Sequence, residues 1–391
     1  MHVLIIPSWY PMQTDDISGS FFREQALALQ KYGGKVGVVY PHLRSLKQWK
    51  TIFSGNYGLR IELDEGMPTY RYGGMNWFPR MPNRNAQLFV KAGMHAYQQY
   101  VNDYGQPDII HVHSALYGGC LALKIRELYN IPYIITEHFS AYPRGLVSEN
   151  GINLTKKVTA GASRKIAVSQ SFANDLAHLL GEDVHSWEEI PNIVHERFLK
   201  CDLSNNVSGG IFNFISIGGL SNNKGVHNII EAFSIAFSEN SKIHLKIGGD
   251  GVSRAMLEQL ALKRNITHRV NFLGKLSRDQ VLQEVAHSNV LVVASEYETF
   301  SVVLVEALAL GKPVISTRCG GPESIVQAQD GILVNKADTN ALADAMLKIY
   351  QNYSDYNSKD IRKKCSDRFG DEAVITRLIE IYKQVISSYV K

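Results

Sequence analysis

The stretch Val290-Leu291-Val292-Val293-Ala294-Ser295-Glu296-Tyr297-Glu298-Thr299-Phe300-Ser301-Val302-Val303-Leu304-Val305-Glu306-Ala307-Leu308-Ala309-Leu310-Gly311-Lys312-Pro313-Val314-Ile315-Ser316 decides how this chain folds. It opens on an apolar β-branched run at 290–293, passes through a polar turn and continues as a helical stretch over 302–310. A Gly-Lys-Pro break then leads into a second β-branched run at 314–316. Short continuous apolar runs suit strands buried on both faces, and a helix between two of them makes a β-α-β unit with parallel strands. On either side the same alternation fills the second half, with strands expected at 211–217, 243–247 and 270–273 and helices at 226–237, 254–264, 278–287 and 340–350. The first half repeats it, with strands at 3–6, 36–40, 109–112, 133–136 and 165–168 and helices at 21–32, 85–104 and 117–129. Between the halves, 191–210 carries Pro191-Asn192, Ser204-Asn205-Asn206 and Gly209-Gly210, which break the pattern and read as a linker. The expectation is an α/β chain of two Rossmann-like, doubly wound parallel-sheet domains facing across a cleft. An N-terminal domain spans 1–190, a linker 191–210 and a C-terminal domain 211–370, and a helix at 371–391 packs back on the N-terminal domain.

Composition narrows the class. With 391 residues, 45% hydrophobic and 20% charged, the chain is neither disordered nor fibrous, and it holds two to three domains of about 150 residues. A net charge of +4 is too small for a nucleic-acid footprint, so no nucleic-acid partner is expected. The charge is uneven: from Lys31 to Lys91 ten Lys or Arg stand against Glu62, Asp64 and Glu65 alone. Cys120, Cys201, Cys319 and Cys365 form no CxxC pair, which points to a reducing compartment. No run of 18 apolar residues occurs, and the apolar start is too short for a signal peptide. A cytoplasmic protein is expected, or one peripheral on the cytoplasmic membrane face.

Ligands of open α/β sheets lie beyond the carboxyl ends of the strands, so the turns there are the candidates. Gly218-Gly219-Leu220-Ser221-Asn222-Asn223-Lys224-Gly225 follows a strand and opens a helix. Its glycines would let backbone N–H groups approach an anion, and Lys224 adds a full positive charge. It is neither GxGxxG nor a Walker A sequence, which argues against nicotinamide enzymes and P-loop NTPases. A second turn, Gly248-Gly249-Asp250-Gly251, follows the next strand. Glu298 stands in the loop after the strand at 290–293, and Glu306 lies on the helix that Ser301 is expected to cap. Fixed carboxylate acceptors suit sugar hydroxyls. Two glutamates eight apart also occur at Glu188/Glu196, Glu231/Glu239 and Glu372/Glu380, so the strand–turn–helix context carries the signal, and the bare spacing does not. On a strand, His111 and His113 would face one side, yet there is no DxD triplet. No metal is expected: one histidine should be a packed strand end and the other should line the cleft.

In this order the pieces resemble glycosyltransferase family 4, the retaining GT-B enzymes that use nucleotide-activated sugars. The pieces are Ser18-Gly19, Thr136-Glu137-His138, Ile190-Pro191-Asn192, Gly218 to Gly225, Gly248 to Gly251, and Glu298 to Glu306. The resemblance covers almost the whole chain and implies roles position by position. Glu306 would accept hydrogen bonds from the donor's ribose and Glu298 from hydroxyls of the transferred sugar. Backbone N–H groups of Phe300, Ser301 and Val302 would hold the distal phosphate, and Lys224 would pair with the diphosphate. Gly218, Gly219, Gly249 and Gly251 would line the donor. Gly19 would let the first loop pass close to the phosphate, and His138 would approach the sugar. With Glu298 and Lys224, His138 makes the catalytic set. The acceptor, a glycan or lipid-linked glycan, would meet His113, Arg144, Trp77 and Arg80. Family members commonly carry Arg where this chain has Gly219, so Lys224 and the amides must suffice or Arg144 must assist.

The activity implied is metal-independent transfer of a hexosyl-type unit from a nucleoside diphosphate sugar to a hydroxyl, with retention, in bacterial cell-surface polysaccharide or glycolipid assembly. No cofactor is expected beyond the donor itself. Two rivals share the fold, a nucleotide-sugar 2-epimerase and a non-catalytic nucleotide-sugar-binding partner subunit; the absent arginine suits the second. Aromatics and arginines mix over 72–84, which suits contact with an anionic membrane or a lipid diphosphate as well as a plain surface loop.

Overall fold

A computed structural model of the chain describes residues 1–13, 16, 19–47, 57–202, 210–238 and 241–389. Ser18, residues 203–209 of the expected linker and the last two residues of the expected 371–391 helix lie outside the described residues. The chain divides into two units, one of Met1–Pro191 together with the segment from Val374 onward, the other of Asn192–Ala373.

The first unit is built on eight strands: β1 (His2–Pro7), β2 (Lys35–Arg44), β3 (Gly58–Asp64), β4 (Met67–Met75), β5 (Ile109–His113), β6 (Tyr133–Glu137), β7 (Arg164–Ala167) and β8 (Glu188–Glu189). Their order is β3-β4-β2-β1-β5-β6-β7-β8, parallel apart from β3, which runs antiparallel to β4. Every residue of β1, β5 and β6 is buried, as expected for central strands covered on both faces. Leu4, Ile6, Val39, Ile110, Val112 and Ile135 pack there with Tyr97, Tyr100, Leu121 and Ile125 from the covering helices. Each such aliphatic burial contributes about 1.5–3 kcal/mol. The antiparallel hairpin is new relative to the sequence reading. Its two-residue turn is Glu65-Gly66, both with positive φ (50° and 82°), the conformation that matches strand twist in a tight hairpin. Helix Asp371–Tyr389 supplies Tyr382 to this unit, wholly buried, with its hydroxyl 2.7 Å from His111 Nδ1.

The second unit has six parallel strands: β9 (Phe212–Ile217), β10 (Ile243–Gly248), β11 (Val270–Gly274), β12 (Val290–Val293), β13 (Val314–Thr317) and β14 (Gly331–Val334). The order is β11-β10-β9-β12-β13-β14. The chain starts in the middle, winds outward to β11 and then returns to the other side of β9. Connections therefore leave in opposite directions from β9 and β12, which is the crevice where open α/β sheets bind ligands. Phe214, Ile229, Phe233, Leu245 and Val292 are fully buried at its core. Within 191–210, read as a linker, Glu196–Lys200 is helical with Phe198 wholly buried; an aromatic that finds a core orders a segment that is polar around it. Among the described residues, no helix is long and apolar enough to cross a membrane.

Candidate active site

The ends of β9 and β12 enclose a pocket of about 140 Å³ lined by Ser216, Gly218, Lys224, Ser295, Glu298 and Ser301, with Val302 and Val303 closing it. Two turns meet to form it. Gly225 has φ 63°, and a Cβ there would stand 1.9 Å from the carbonyl oxygen of Ala294, so only glycine lets the first turn lie on the second. The Glu296 N–H donates to Asn223 O at 2.9 Å and fixes that approach. Lys224 thereby reaches Glu298: Nζ donates to Oε1 at 2.6 Å, and Ser295 Oγ donates to the same oxygen at 2.7 Å. The backbone of Glu298 is held on both sides, its N–H donating to Cys319 O and its carbonyl accepting from Gly321 N–H. The carboxylate is therefore fixed at the pocket, a third or less exposed with its lysine.

Helix Val302–Ala309 begins at the same place. Ser301 occupies the N-cap position, but it does not cap: its φ is 95° and its side chain makes no capping bond. A positive φ turns the hydroxyl away from the helix amides, and the expected cap is corrected on that ground. Left-handed backbone at a non-glycine residue is sparsely populated and is concentrated at functional sites. The first turn of the helix thus presents its N–H groups and partial positive charge to the pocket. A lysine, a carboxylate and an open helix N-terminus can together receive an anion and orient a hydroxyl.

The remaining second-unit candidates fall in different places. Gly219 is outside the pocket wall, and a Cβ there would meet nothing within 4 Å. Gly249 (φ 133°) and Gly251 do not line the pocket. Side chains there would run into the carbonyl oxygens of Gly218 and Leu220 at 1.9 and 2.4 Å, so these glycines press two turns together. Phe300 is buried with its ring 5.9 Å from that of Phe369. Glu306 lies outside the pocket wall, 2% exposed, in an ion pair with Arg278. The guanidinium of Arg278 stands 5.5 Å from the centre of the Phe198 ring. Arg278 leaves no signal in the sequence, since 28 positions separate it from Glu306 and no local pattern links them.

In the first unit, His113 ends β5 and His138 follows β6. His113 Nδ1 lies 3.2 Å from His138 Nε2, and both rings pack on Phe22, whose helix starts after Gly19. Gly19 has φ 76°, and a Cβ would come within 3.1 Å of the Trp9 side chain. His111, His113 and His138 are all buried, and burial pushes each below the ordinary histidine value, His111 to about 3. All three are neutral at pH 7. Both members of the His-x-His pair are thus interior groups, which corrects the expectation that one lines an opening: His111 bonds Tyr382 and Thr136, and these partners seal it. Glu137, also wholly buried, accepts from the amides of Ala115, His138 and Phe139, and burial raises its pKa. Arg144 is exposed, Trp77 is half-exposed, and exposed Arg80 adopts φ 66°. Among the described residues, no three His, Cys, Asp or Glu side chains form a metal-binding group.

The chain is similar to known proteins along most of its length. Residues 19–197 match the family model "Glycosyltransferase Family 4", and residues 205–367 match "Glycosyl transferases group 1". The Bacillus subtilis glycosyltransferase TuaC, provisionally assigned to teichuronic acid biosynthesis, is 27% identical over 89% of this chain and 89% of its own. The N-acetyl-alpha-D-glucosaminyl L-malate synthase of Bacillus anthracis is 29% identical over 71% of this chain and 75% of its own. In structure, a sucrose-phosphate synthase from Thermosynechococcus elongatus superposes with a TM-score of 0.80 at 21% identity, covering 99% of both chains. Anabaena HepE, solved in complex with UDP-glucose, gives 0.72 at 18% identity over 98% of this chain and 100% of its own. These likenesses show the two-domain GT-B fold.

Proposed function

This chain belongs to glycosyltransferase family 4, and from that premise we propose that it moves a hexosyl-type unit from a nucleoside diphosphate sugar to a hydroxyl acceptor with retention of anomeric configuration. The observation that carries this reading is the Lys224–Glu298 pair beside the uncapped start of helix Val302–Ala309. In the proposed reaction the diphosphate sits against that helix N-terminus and draws Lys224 from Glu298. Lys224 and the amides of Ser301 and Val302 stabilise the charge that grows on the leaving phosphate. Glu298, released from its lysine but still held by Ser295, accepts from hydroxyls of the transferred sugar. No side chain is placed as a covalent nucleophile in this reading. The leaving phosphate takes the acceptor's proton as the new bond forms on the same face, and no metal is needed because lysine and helix supply the positive field.

The likeness to TuaC, and to HepE with its UDP-glucose, supports a nucleotide-sugar donor and a role in bacterial cell-surface polysaccharide or glycolipid assembly. His138, neutral and buried, serves in this reading to position the Gly19–Phe22 segment. The test is a panel of nucleotide sugars screened by thermal shift. The best ligand is then incubated with a lipid-linked glycan extract, and the anomeric configuration of the product is read by NMR. Release of nucleoside diphosphate with an axial donor yielding an axial product supports the proposal; an equatorial product overturns retention. Stabilisation by nucleotide sugars with no turnover favours the non-catalytic binding subunit, which Gly219 and the ion-paired Glu306 also suit.

A further inference from the structure

The first unit holds a second, larger pocket of about 550 Å³ that the donor chemistry does not use. It lies between helix Pro82–Tyr104 and strands β2 and β4, with Tyr57, just before β3, and Trp77 at its lip. Its floor and walls are mainly apolar: Leu43, Tyr72, Met75, Leu88 and Met94 are prominent. Along the helix the lining runs from Leu88 to Gln98, about 15 Å at 1.5 Å per residue. Beside it the apolar surface continues. Leu59, Ile61 and Leu63 of β3 share one face, and Leu59 and Ile61 pair with Tyr72 and Tyr70 of β4. Ile61 and Leu63 are more than half exposed there, as is Trp77 at the lip. An edge strand that exposes large aliphatics is a feature proteins ordinarily avoid.

Two further properties define what fits. None of the lining side chains is a carboxylate, the Gln98 carbonyl already accepts from Tyr129, and His95 lies edge-on to Tyr72. A sugar needs many fixed acceptors, so this lining does not suit one. Lys91 is the one Lys, Arg, Asp or Glu among the lining residues, and Arg84 stands about two turns before it on the same helix. Arg84, Leu88, Lys91, His95 and Gln98 recur at helical spacing along one face of helix Pro82–Tyr104. Among the described residues Arg84 and Lys91 have no carboxylate partner; Arg84 stacks over Phe78 at 5.3 Å. The nearest acids in sequence on either side are engaged elsewhere, Asp64 and Glu65 by Arg23 and Asp103 by the Tyr70 hydroxyl and the Gln99 amide.

We propose that this pocket binds the hydrocarbon chain of a lipid phosphate, with Arg84 and Lys91 meeting its phosphate. The proposal rests on the glycosyltransferase reading in one respect: it makes the acceptor a single lipid-linked molecule held by the first unit. The apolar lining excludes water from the chain, and the two cations hold the head at the rim, where a phosphate remains partly hydrated.

The test uses the full chain without any nucleotide sugar, so that it does not depend on turnover, and farnesyl phosphate is the probe. Saturable 1:1 binding is expected by calorimetry, with the same affinity in Lys224→Ala. Met94→Asp should weaken it tenfold or more. Arg84→Glu with Lys91→Glu, both at exposed positions that leave folding intact, should weaken farnesyl phosphate tenfold and leave farnesol unchanged. Inorganic phosphate at equal concentration should not compete. Absence of saturable binding overturns the proposal. So does binding that both variants leave within threefold of wild type, or co-sedimentation with anionic phosphatidylglycerol vesicles in the absence of binding to the single lipid. If farnesyl phosphate binds but no nucleotide sugar is ever consumed, the glycosyltransferase reading fails and the lipid site stands.

Discussion

Lys224 donates to Glu298 Oε1 at 2.6 Å across two turns that only a glycine at 225 allows to touch. Both side chains are partly exposed at the pocket, so the pair itself contributes little to folding, about 0–1 kcal/mol. Its place at the crevice between β9 and β12 is what the proposed donor chemistry uses. Lys224→Ala is expected to leave the melting temperature nearly unchanged and to lower kcat/KM by about 10²–10³, the cost of losing one preorganised group on a developing oxyanion. Steady-state kinetics beside a thermal melt checks both halves. An equal loss of activity and stability would contradict the assignment.

The glycines of the two turns separate cleanly into those that need to be glycine and those that do not. Gly219→Arg meets open space, so stability should stay within about 0.5 kcal/mol. In the proposed donor complex it also adds a second cation near the diphosphate and tightens nucleoside diphosphate binding about tenfold, the low end for a charged hydrogen bond. Gly249→Ala, at φ 133° with Gly218 O in the way, should cost about 2 kcal/mol or more. Calorimetric titration and urea unfolding of the two variants make the contrast.

The histidines of the first unit predict an acid sensitivity. His111, His113 and His138 have folded pKa values depressed by burial, so the unfolded chain binds more protons once pH falls below about 6.5. Stability is therefore full above pH 6.5 and declines as pH falls toward the depressed values, near 3 for His111, by about 1.4 kcal/mol per pH unit for each histidine. Glu137, whose folded pKa is raised, works in the opposite direction at lower pH. Urea unfolding followed from pH 7.5 to 5 should show this slope, and His111→Gln should reduce it. Tyr382→Phe removes the partner of His111 Nδ1 and should cost about 1–3 kcal/mol at every pH.

Arg278 and Glu306 make an ion pair that is almost sealed from water. Removing one partner strands a buried charge, so Arg278→Met should destabilise by about 3–5 kcal/mol. Arg278→Met with Glu306→Leu should recover most of it. A double-mutant cycle in urea measures the difference.

The architecture is legible in the sequence because central strands such as β1 and β12 are unbroken apolar runs, and the helices between them carry apolar faces. The hairpin of β3 and β4 is not. Its strands interleave Arg60, Glu62, Asp64 and Arg71 with apolar residues, and they cross a stretch dominated by its charge. Helix Ser358–Phe369 escapes the sequence reading for a related reason: seven of its residues are charged, and only Ile361, Cys365 and Phe369 turn inward. At the site, Lys224 and Glu298 stand out because each follows a strand end. The partner of Glu306 does not, because an ion pair across 28 residues leaves no periodic trace. Ser301 is a reasonable cap by residue type, and its backbone φ, which residue type does not specify, overrides it.

In the proposed function, Lys224, Glu298 and the start of helix Val302–Ala309 hold and activate a nucleoside diphosphate sugar. The measurement that tests it most directly is nucleoside diphosphate release from a panel of nucleotide sugars by the wild-type chain and by Glu298→Ala, with an acceptor extract present. The expected result is release from at least one donor and a loss of at least a hundredfold in the variant. Release that Glu298→Ala leaves unchanged would contradict the claim.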